Sequence, residues 1–383
     1  MSWDNIIGLE REKSILQRAI ISNRIAQSYL FYGNEGVGKK AMALEFAKTI
    51  NCQNPIINGN KIYACDKCTS CIEMNNLTHP NLHLIYSIPA GKSSDSKSDN
   101  PYSKLDEKQI TEIQEELKIF SEDKYHKFMI LGSHNIKIDQ IRDVKRKISL
   151  SSGAAGKSFI IIFNAEEMTR EAANGFLKTL EEPTENTHII LIVQQREMLL
   201  NTILSRTQQI YFEDLTIDEI KNGLVERYQI DEQKAKLIAV LSNGSFTSAN
   251  NYVKNQFTDL RSELVDILRK ALKKGAYKFE LLNKIDRIIK ENDSKQIISA
   301  LLLFELWLRD AYSYIKTNSE DKIINLDQLE PIRKFASYYL TFDYFKAIEL
   351  IENSIISIKK NVNIQLILVN LYLNLRRLVY KFC

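Results

Sequence analysis

The sequence predicts a parallel α/β domain followed by an all-α half, and three observations carry that reading. Ser28-Tyr29-Leu30-Phe31-Tyr32 reads as a buried strand. It leads through Gly33-Asn34-Glu35-Gly36-Val37-Gly38-Lys39-Lys40 into Ala41–Lys48, which reads as a helix. Two further runs, Ser158–Phe163 and His188–Val193, are apolar after their first residue, as in strands covered on both faces. From Glu213 onward only Gly223, Gly244, Gly275 and Pro331 interrupt residues whose apolar positions recur at helical spacing, as in Leu237, Ile238 and Leu241.

Composition sets the outer bounds. A chain of 383 residues predicts two or three domains. Hydrophobic content of 44% and charged content of 26% are those of a soluble globular protein. The net charge of +4 permits nucleic-acid contact without arguing for it. No apolar run reaches the length of a membrane span. The start, Met1-Ser2-Trp3-Asp4-Asn5, lacks the basic and apolar regions of a signal peptide. Four of the five cysteines fall between residues 52 and 71, unlike a distributed disulfide framework, so a cytoplasmic protein is expected.

In order, Trp3–Ile25 reads as an opening loop and an amphipathic helix with Ile15, Leu16, Ala19 and Ile20 on one face. The strand, glycine-rich loop and helix follow. Cys52 and Cys65-Asp66-Lys67-Cys68-Thr69-Ser70-Cys71 come next. Asn81–Tyr86 reads as a second strand. Ser87–Lys108, rich in Ser, Asp, Lys, Gly and Pro, reads as a mobile insertion. A helix is expected from about Glu107 to Phe120, and another over Ile138–Ile148. In the latter Ile141, Val144 and Ile148 form the buried stripe, and Arg142, Lys145 and Arg146 lie off it as a solvated face. Thr169 is placed to cap a helix from Arg170 to Leu180, closed off by Pro183. Asn201–Thr207 holds a short helix and Gln209–Phe212 a last strand. Alternating strands and helices over 1–212 mean a three-layered domain with a parallel sheet. The helical remainder divides into a small unit over 213–270 and a larger bundle over 275–383.

Two stretches carry chemistry. Gly33, Gly36 and Gly38 allow backbone N–H groups to curl around phosphate oxygens at a helix N-terminus, and Lys39 is placed to reach them. The pattern requires Ser or Thr next, because that hydroxyl ligates Mg²⁺. Lys40 stands there instead. The strand Ser158–Phe163 should end in an acidic Mg²⁺ ligand. It ends in Asn164-Ala165, with Glu166 and Glu167 too late in the chain and expected to point elsewhere. Mg²⁺ is therefore not expected, and whether ATP or ADP occupies the loop stays open. Cys52, Cys65, Cys68 and Cys71 suit tetrahedral Zn²⁺, a structural ion because four sulfurs leave no open position. His79 and His83 read as satisfied histidines beside it.

The loop, the cysteine module, Ile138-Asp139-Gln140-Ile141-Arg142, Phe176-Leu177-Lys178-Thr179-Leu180-Glu181-Glu182-Pro183 and Thr202-Ile203-Leu204-Ser205-Arg206 together resemble the clamp-loader branch of the AAA+ ATPases. The resemblance covers the first 212 residues well and the helical half in outline. It implies an AAA+ domain, a helical lid and a helical collar. It also implies partners: gamma/tau-type motor subunits and a delta subunit in a hetero-pentameric ring, a sliding clamp and primed DNA, within the bacterial replicative DNA polymerase. Helix 138–148 would then face duplex DNA, with Lys145 or Arg146 on phosphate.

Departures from the family pattern matter as much. The Asp-Glu pair is replaced by Asn164-Ala165, a polar sensor Thr is missing near Val193-Gln194, and the lid arginine is replaced within Gly244-Ser245-Phe246-Thr247. Ser205-Arg206 survives as the family's arginine-finger motif, with Thr207 in place of its usual Cys. The resemblance thus implies a subunit inactive on its own nucleotide that supplies Arg206 to a neighbour's. The alternatives are an active gamma/tau-type ATPase and a free-standing zinc-dependent nucleic-acid-binding protein.

Overall fold

The computed structural model describes residues 2–90, 100–150, 156–182, 186–254, 258–273, 278–321 and 323–380. Pro183, Gly275 and the middle of the expected insertion lie outside the described residues. The chain forms two compact units, 1–223 with 243–250, and 224–242 with 251–383. The division falls within two helices of the second half. No helix among the described residues is long and apolar enough to cross a membrane.

The first unit is built around five parallel strands. In chain order its elements are α1 (Glu10–Ile21), β1 (Ser28–Tyr32), α2 (Lys39–Asn51), β2 (Ile56–Asn58), β3 (Lys61–Tyr63), α3 (Thr69–Asn75), β4 (Leu82–Ile85), α4 (Glu107–Glu122), α5 (Ile138–Leu150), β5 (Ser158–Ile162), α6 (Arg170–Glu181), β6 (Thr187–Val193), α7 (Asn201–Leu204), β7 (Gln208–Tyr211), the first half of α8 (Ile217–Tyr228) and, after α9 (Glu232–Leu241) of the second unit, the start of α10 (Phe246–Lys254). The sheet order is β4-β5-β6-β1-β7. Ser28 pairs with Ile189, Ser158 with Thr187, Leu82 with Phe159 and Tyr29 with Gln208, all in parallel. Isoleucine-rich β5 and β6 occupy the interior, where β-branched side chains pack on both faces of the pleat. One face carries Ile141, Val144 and Ile148 of α5 and Phe176 and Leu180 of α6. On the other, Phe46 of α2 meets Tyr29 and Phe159 edge-on at 5.5 and 6.1 Å.

The expected elements appear within a few residues of their expected ends. Thr169 caps α6 by accepting from the Ala172 N–H at 3.2 Å. Two expectations need correction. The stretch 87–108 is not loose at its described ends. Pro89 bridges to Ser133, Asn100 caps a 3-10 turn over Pro101–Lys104, Leu105 is buried, and Asp106 forms a capping box with Gln109 at the start of α4. Its low-complexity composition concealed these local caps. Lys145 is likewise not a free solvated cation: its ammonium donates to the Gly175 carbonyl of α6 at 3.1 Å. Arg146 and Lys147 both pair with the buried Asp143 and keep about half their surface in solvent.

The second unit is helical. It contains the end of α8, α9 (Glu232–Leu241), the end of α10 (Phe246–Lys254), α11 (Thr258–Ala271), α12 (Lys278–Glu291), α13 (Ser294–Thr317), α14 (Leu329–Tyr338), α15 (Tyr344–Lys359) and α16 (Ile364–Val379). The long α13, opened by an Asp293–Gln296 capping box, runs through its core, where Trp307 packs edge-on against Phe335.

Candidate functional site

The glycine-rich loop sits at the carboxyl end of β1, at the mouth of the parallel sheet, where such folds place their ligands. Gly33, Gly36 and Gly38 all have positive φ, at 141°, 84° and 116°. Two of them are also required by packing. A Cβ on Gly33 would lie 2.2 Å from the Phe212 carbonyl oxygen, and one on Gly36 would lie 2.0 Å from Ser245 Oγ and 2.8 Å from Thr247 Cβ. The loop is held from above by its own domain. The Thr247 N–H donates to the Gly36 carbonyl at 3.3 Å, and Asn34 Nδ2 donates to both oxygens of Asp214 at 2.7 and 2.9 Å.

Lys39 is 6% exposed, and its ammonium donates to the carbonyls of Gly33 and Asn34, each at 2.6 Å. It is thereby folded onto the loop's own backbone. Burial, helped by the neighbouring Lys40 cation, lowers its pKa to about 8. Lys40 turns the other way. Its Nζ lies 4.9 Å from the Phe163 ring centre and 5.5 Å from that of Phe128, a cation–π cage. Burial also lowers its pKa to about 8. Both lysines therefore stay mostly charged at neutral pH. The cleft beside them, lined by Glu35, Lys124, Phe128, Asn164 and Gln194, measures about 40 Å³, room for a few waters. An ammonium in an aromatic cage cannot ligate Mg²⁺, and this arrangement does not fit a metal–nucleotide pair.

The end of β5 explains the rest. Asn164 adopts the left-handed conformation, and its amide donates to Glu167 at 2.9 Å. Glu166 does not point elsewhere, as its late position in the chain suggested. Its Oε1 accepts from the Gln194 N–H at 3.1 Å, and the Gln194 carbonyl in turn accepts from the Gly33 N–H at 3.2 Å. Burial raises the Glu166 pKa, against the pull of Lys39. The turn at Asn164 swings Glu166 back to the strand end, a geometry residue spacing alone does not reveal.

The cysteines converge from separate elements. Cys52 follows α2, Cys65 follows β3, Cys68 caps α3, and Cys71 lies in the first turn of α3. Their sulfurs all lie within 4.8 Å of one another, with Cys65 and Cys71 at 4.0 Å, and none is in a disulfide. A tetrahedron of Zn–S bonds of about 2.3 Å has S–S edges of about 3.8 Å. The Cys65 N–H donates to the Cys52 sulfur at 3.2 Å, and the Cys68 N–H to the Cys65 sulfur at 3.4 Å. The N–H groups of Lys67 and Cys68 hold the Cys65 thiol down to about 6, favouring thiolate, whereas burial raises Cys52 and Cys71. Deprotonating those two calls for a cation among them, and the donor set fits Zn²⁺.

His79 is satisfied by Ser70 and by the Asn81 N–H. His83 is not: its Nε2 is buried without a partner, and burial lowers its pKa. Beneath the module, Lys48 reaches Glu45 at 2.9 Å, Asp66 and, at 3.3 Å, Asn75, tying the cysteine loop to α2.

Arg206 stands past the end of α7, at the surface. Its Nη2 pairs with Glu181, the last residue of α6, at 2.7 Å, and its Nη1 donates to the Thr202 carbonyl at 2.8 Å. Thr207 turns its hydroxyl to the carbonyls of Ile203 and Leu204.

Residues 8–216 match the family described as DNA polymerase III, delta subunit. The DNA polymerase III subunit delta' of Bacillus subtilis is 28% identical over 380 residues, covering 98% of this chain and 99% of that protein. The subunit delta' of Pseudomonas aeruginosa is 29% identical over 184 residues, 48% of this chain and 42% of that one. Among solved structures, a DNA polymerase III gamma subunit-related protein from Thermotoga maritima is similar over 95% of this chain and 99% of its own, at 18% identity and a TM-score of 0.42. The family match begins at the turn before α1 and ends just past β7, so it spans the whole sheet, the phosphate loop, the cysteine module and Arg206. On that match, the chain belongs to the DNA polymerase III delta-subunit family.

Proposed function

We propose that this chain acts as the delta-prime subunit of a DNA polymerase III clamp loader, turning over no ATP itself and lending Arg206 to nucleotide held by an adjacent motor subunit. The observation that carries this reading is a contrast within one domain. The chain's own loop has Lys40 caged by Phe128 and Phe163 and Asn164-Ala165 in place of the acids, while Arg206 stands at the surface. Phosphoryl transfer rests on metal, positioning and charge, so a loop without metal ligands offers little acceleration. A guanidinium offered in trans stabilises charge developing on the γ-phosphoryl oxygens.

In this proposal residues 1–212 form the AAA+ domain, 213–270 the lid and 275–383 the collar. The partners are gamma/tau and delta subunits in a hetero-pentameric ring, the sliding clamp and primed DNA, in the cytoplasm. Zn²⁺ on Cys52, Cys65, Cys68 and Cys71 is structural. Gly33, Gly36, Gly38 and Lys39 keep the form of a nucleotide loop without its metal.

The test is a reconstituted loader in which only this chain is changed. Arg206→Ala should leave assembly intact and lower DNA-stimulated ATP hydrolysis and clamp loading. Arg206→Lys should rescue poorly, because a point charge cannot reproduce the bidentate fork. The purified chain alone should show no turnover that Lys39→Ala removes. Wild-type hydrolysis and loading with Arg206→Ala would overturn the reading.

A further inference from the structure

We propose that Glu181 is a built-in competitor for the Arg206 guanidinium, so that the finger engages phosphate only by exchanging one anion for another. The inference rests on the reading of Arg206 as trans-acting. Both terminal nitrogens of Arg206 are already donating within the chain, Nη2 to the Glu181 carboxylate at 2.7 Å and Nη1 to the Thr202 carbonyl at 2.8 Å. A bidentate grip on a phosphoryl group needs such a fork free. The carboxylate and two phosphoryl oxygens present the same chemistry to it, so one displaces the other.

The position of Glu181 supports a paired role. It is the last residue of α6, where the helix C-terminus carries partial negative charge and an acid is disfavoured. Glu182 follows at once. A carboxylate placed there gains from the guanidinium opposite, and the guanidinium is drawn back toward its own chain. The Glu181 and Arg206 side chains are 47% and 36% exposed, so the pair biases the finger without locking it. Exposed pairs of this kind shift an equilibrium by about 1.4- to 5-fold. The bias is therefore felt in the resting ring, where finger and phosphate meet only part of the time. If DNA brings the neighbour's phosphate to full occupancy on the finger, the bias disappears there.

The experiment uses the whole reconstituted loader with Glu181→Gln, which keeps shape and removes charge. DNA-independent ATP hydrolysis should rise by about 1.4- to 5-fold. The DNA-saturated rate should stay unchanged, so the stimulation ratio falls by the same factor. Glu182→Gln serves as the neighbouring-charge control and should do neither. If Glu181→Gln impairs assembly, Glu181→Asp shortens the reach while keeping the charge, and should raise the DNA-independent rate in the same direction. Combined with Arg206→Ala, either change should have no further effect. Lowered hydrolysis with Glu181→Gln would mean that Glu181 supports the finger, and unchanged hydrolysis that the pair is inert. Either outcome overturns the competitor role while leaving Arg206's own role to its separate variant. A silent Arg206→Ala would remove both.

Discussion

The Lys48 to Met substitution tests how the cysteine module is joined to the helix behind the phosphate loop. Lys48 and Glu45 are each about 2% exposed, and Lys48 also holds Asp66, between Cys65 and Cys68, and Asn75 at the end of α3. Glu45 has one oxygen already without a partner, so removing the ammonium leaves its carboxylate buried and uncompensated. Breaking a buried pair from one side costs about 3–5 kcal/mol, here roughly 6–20 °C in the melting temperature of a domain this size.

The pH dependence carries the diagnosis. Burial raises the Glu45 pKa to about 7, against the pull of Lys48. The folded pKa lies above the unfolded value, so this group's contribution is fully present below about pH 4 and is lost as pH rises through about 7. Without Lys48 the folded pKa moves higher still, and the penalty of the variant should grow as pH rises above neutrality. Urea midpoints at pH 5, 7 and 8.5 measure it. Adding Glu45→Gln should recover most of the loss at pH 8.5. A penalty under about 1 kcal/mol, or one equal at all three pH values, would refute the buried-pair argument.

Metal analysis of protein purified without chelator should find one zinc per chain, and Cys71→Ser should lower both zinc content and the thermal midpoint; clearly substoichiometric metal would discount the site. If α5 faces DNA in the assembled loader, Lys145→Ala or Arg146→Ala should lower the salt slope of loader binding to primed DNA by about one unit, although Lys145 already donates to the Gly175 carbonyl and Arg146 pairs with Asp143. An unchanged slope with both variants would remove α5 from the contact surface. Gly36→Ala should destabilise the nucleotide-free chain by about 1–3 kcal/mol from the positive φ alone, with the clash on Ser245 in addition, as read by thermal unfolding.

The sheet was legible because its signals are long and local. Isoleucine runs at β5 and β6 and the glycine loop after β1 leave little choice of structure, and C-x-x-C spacing declares itself without a fold. The hairpin of β2 and β3 was not legible. Each strand has three residues, and Ile56, Ile57 and Asn58 are all exposed, so no burial pattern marks them. The hairpin is anchored instead from a distance, by Gln17 of α1 on the Ile62 carbonyl. Glu166 escapes the sequence for a related reason. Residue counting assumes an extended backbone past the strand, and the left-handed Asn164 breaks that assumption. The Glu181–Arg206 pair joins residues 25 apart whose motifs are each readable, but nothing in either motif says that they meet.

Those tertiary contacts give the loop's glycines a second reason to be there. Nucleotide binding is one reason for a glycine at such a position, because it lets the backbone approach phosphate. Packing is another, and here the distances supply it. Phe212 crowds Gly33 from the strand beside it, Ser245 and Thr247 crowd Gly36 from above, and the Thr247 N–H takes a loop carbonyl. Lys39 binds two more carbonyls of the loop, and Lys40 fills an aromatic cage. The loop is thus a structural joint between the sheet and the segment 243–250, and its sequence is constrained by folding. That joint lies within the same unit as α6, α7 and Arg206. On the proposed function, a rigid platform is what Arg206 requires, since misplacing a catalytic group by about 1 Å costs about 10²-fold in rate.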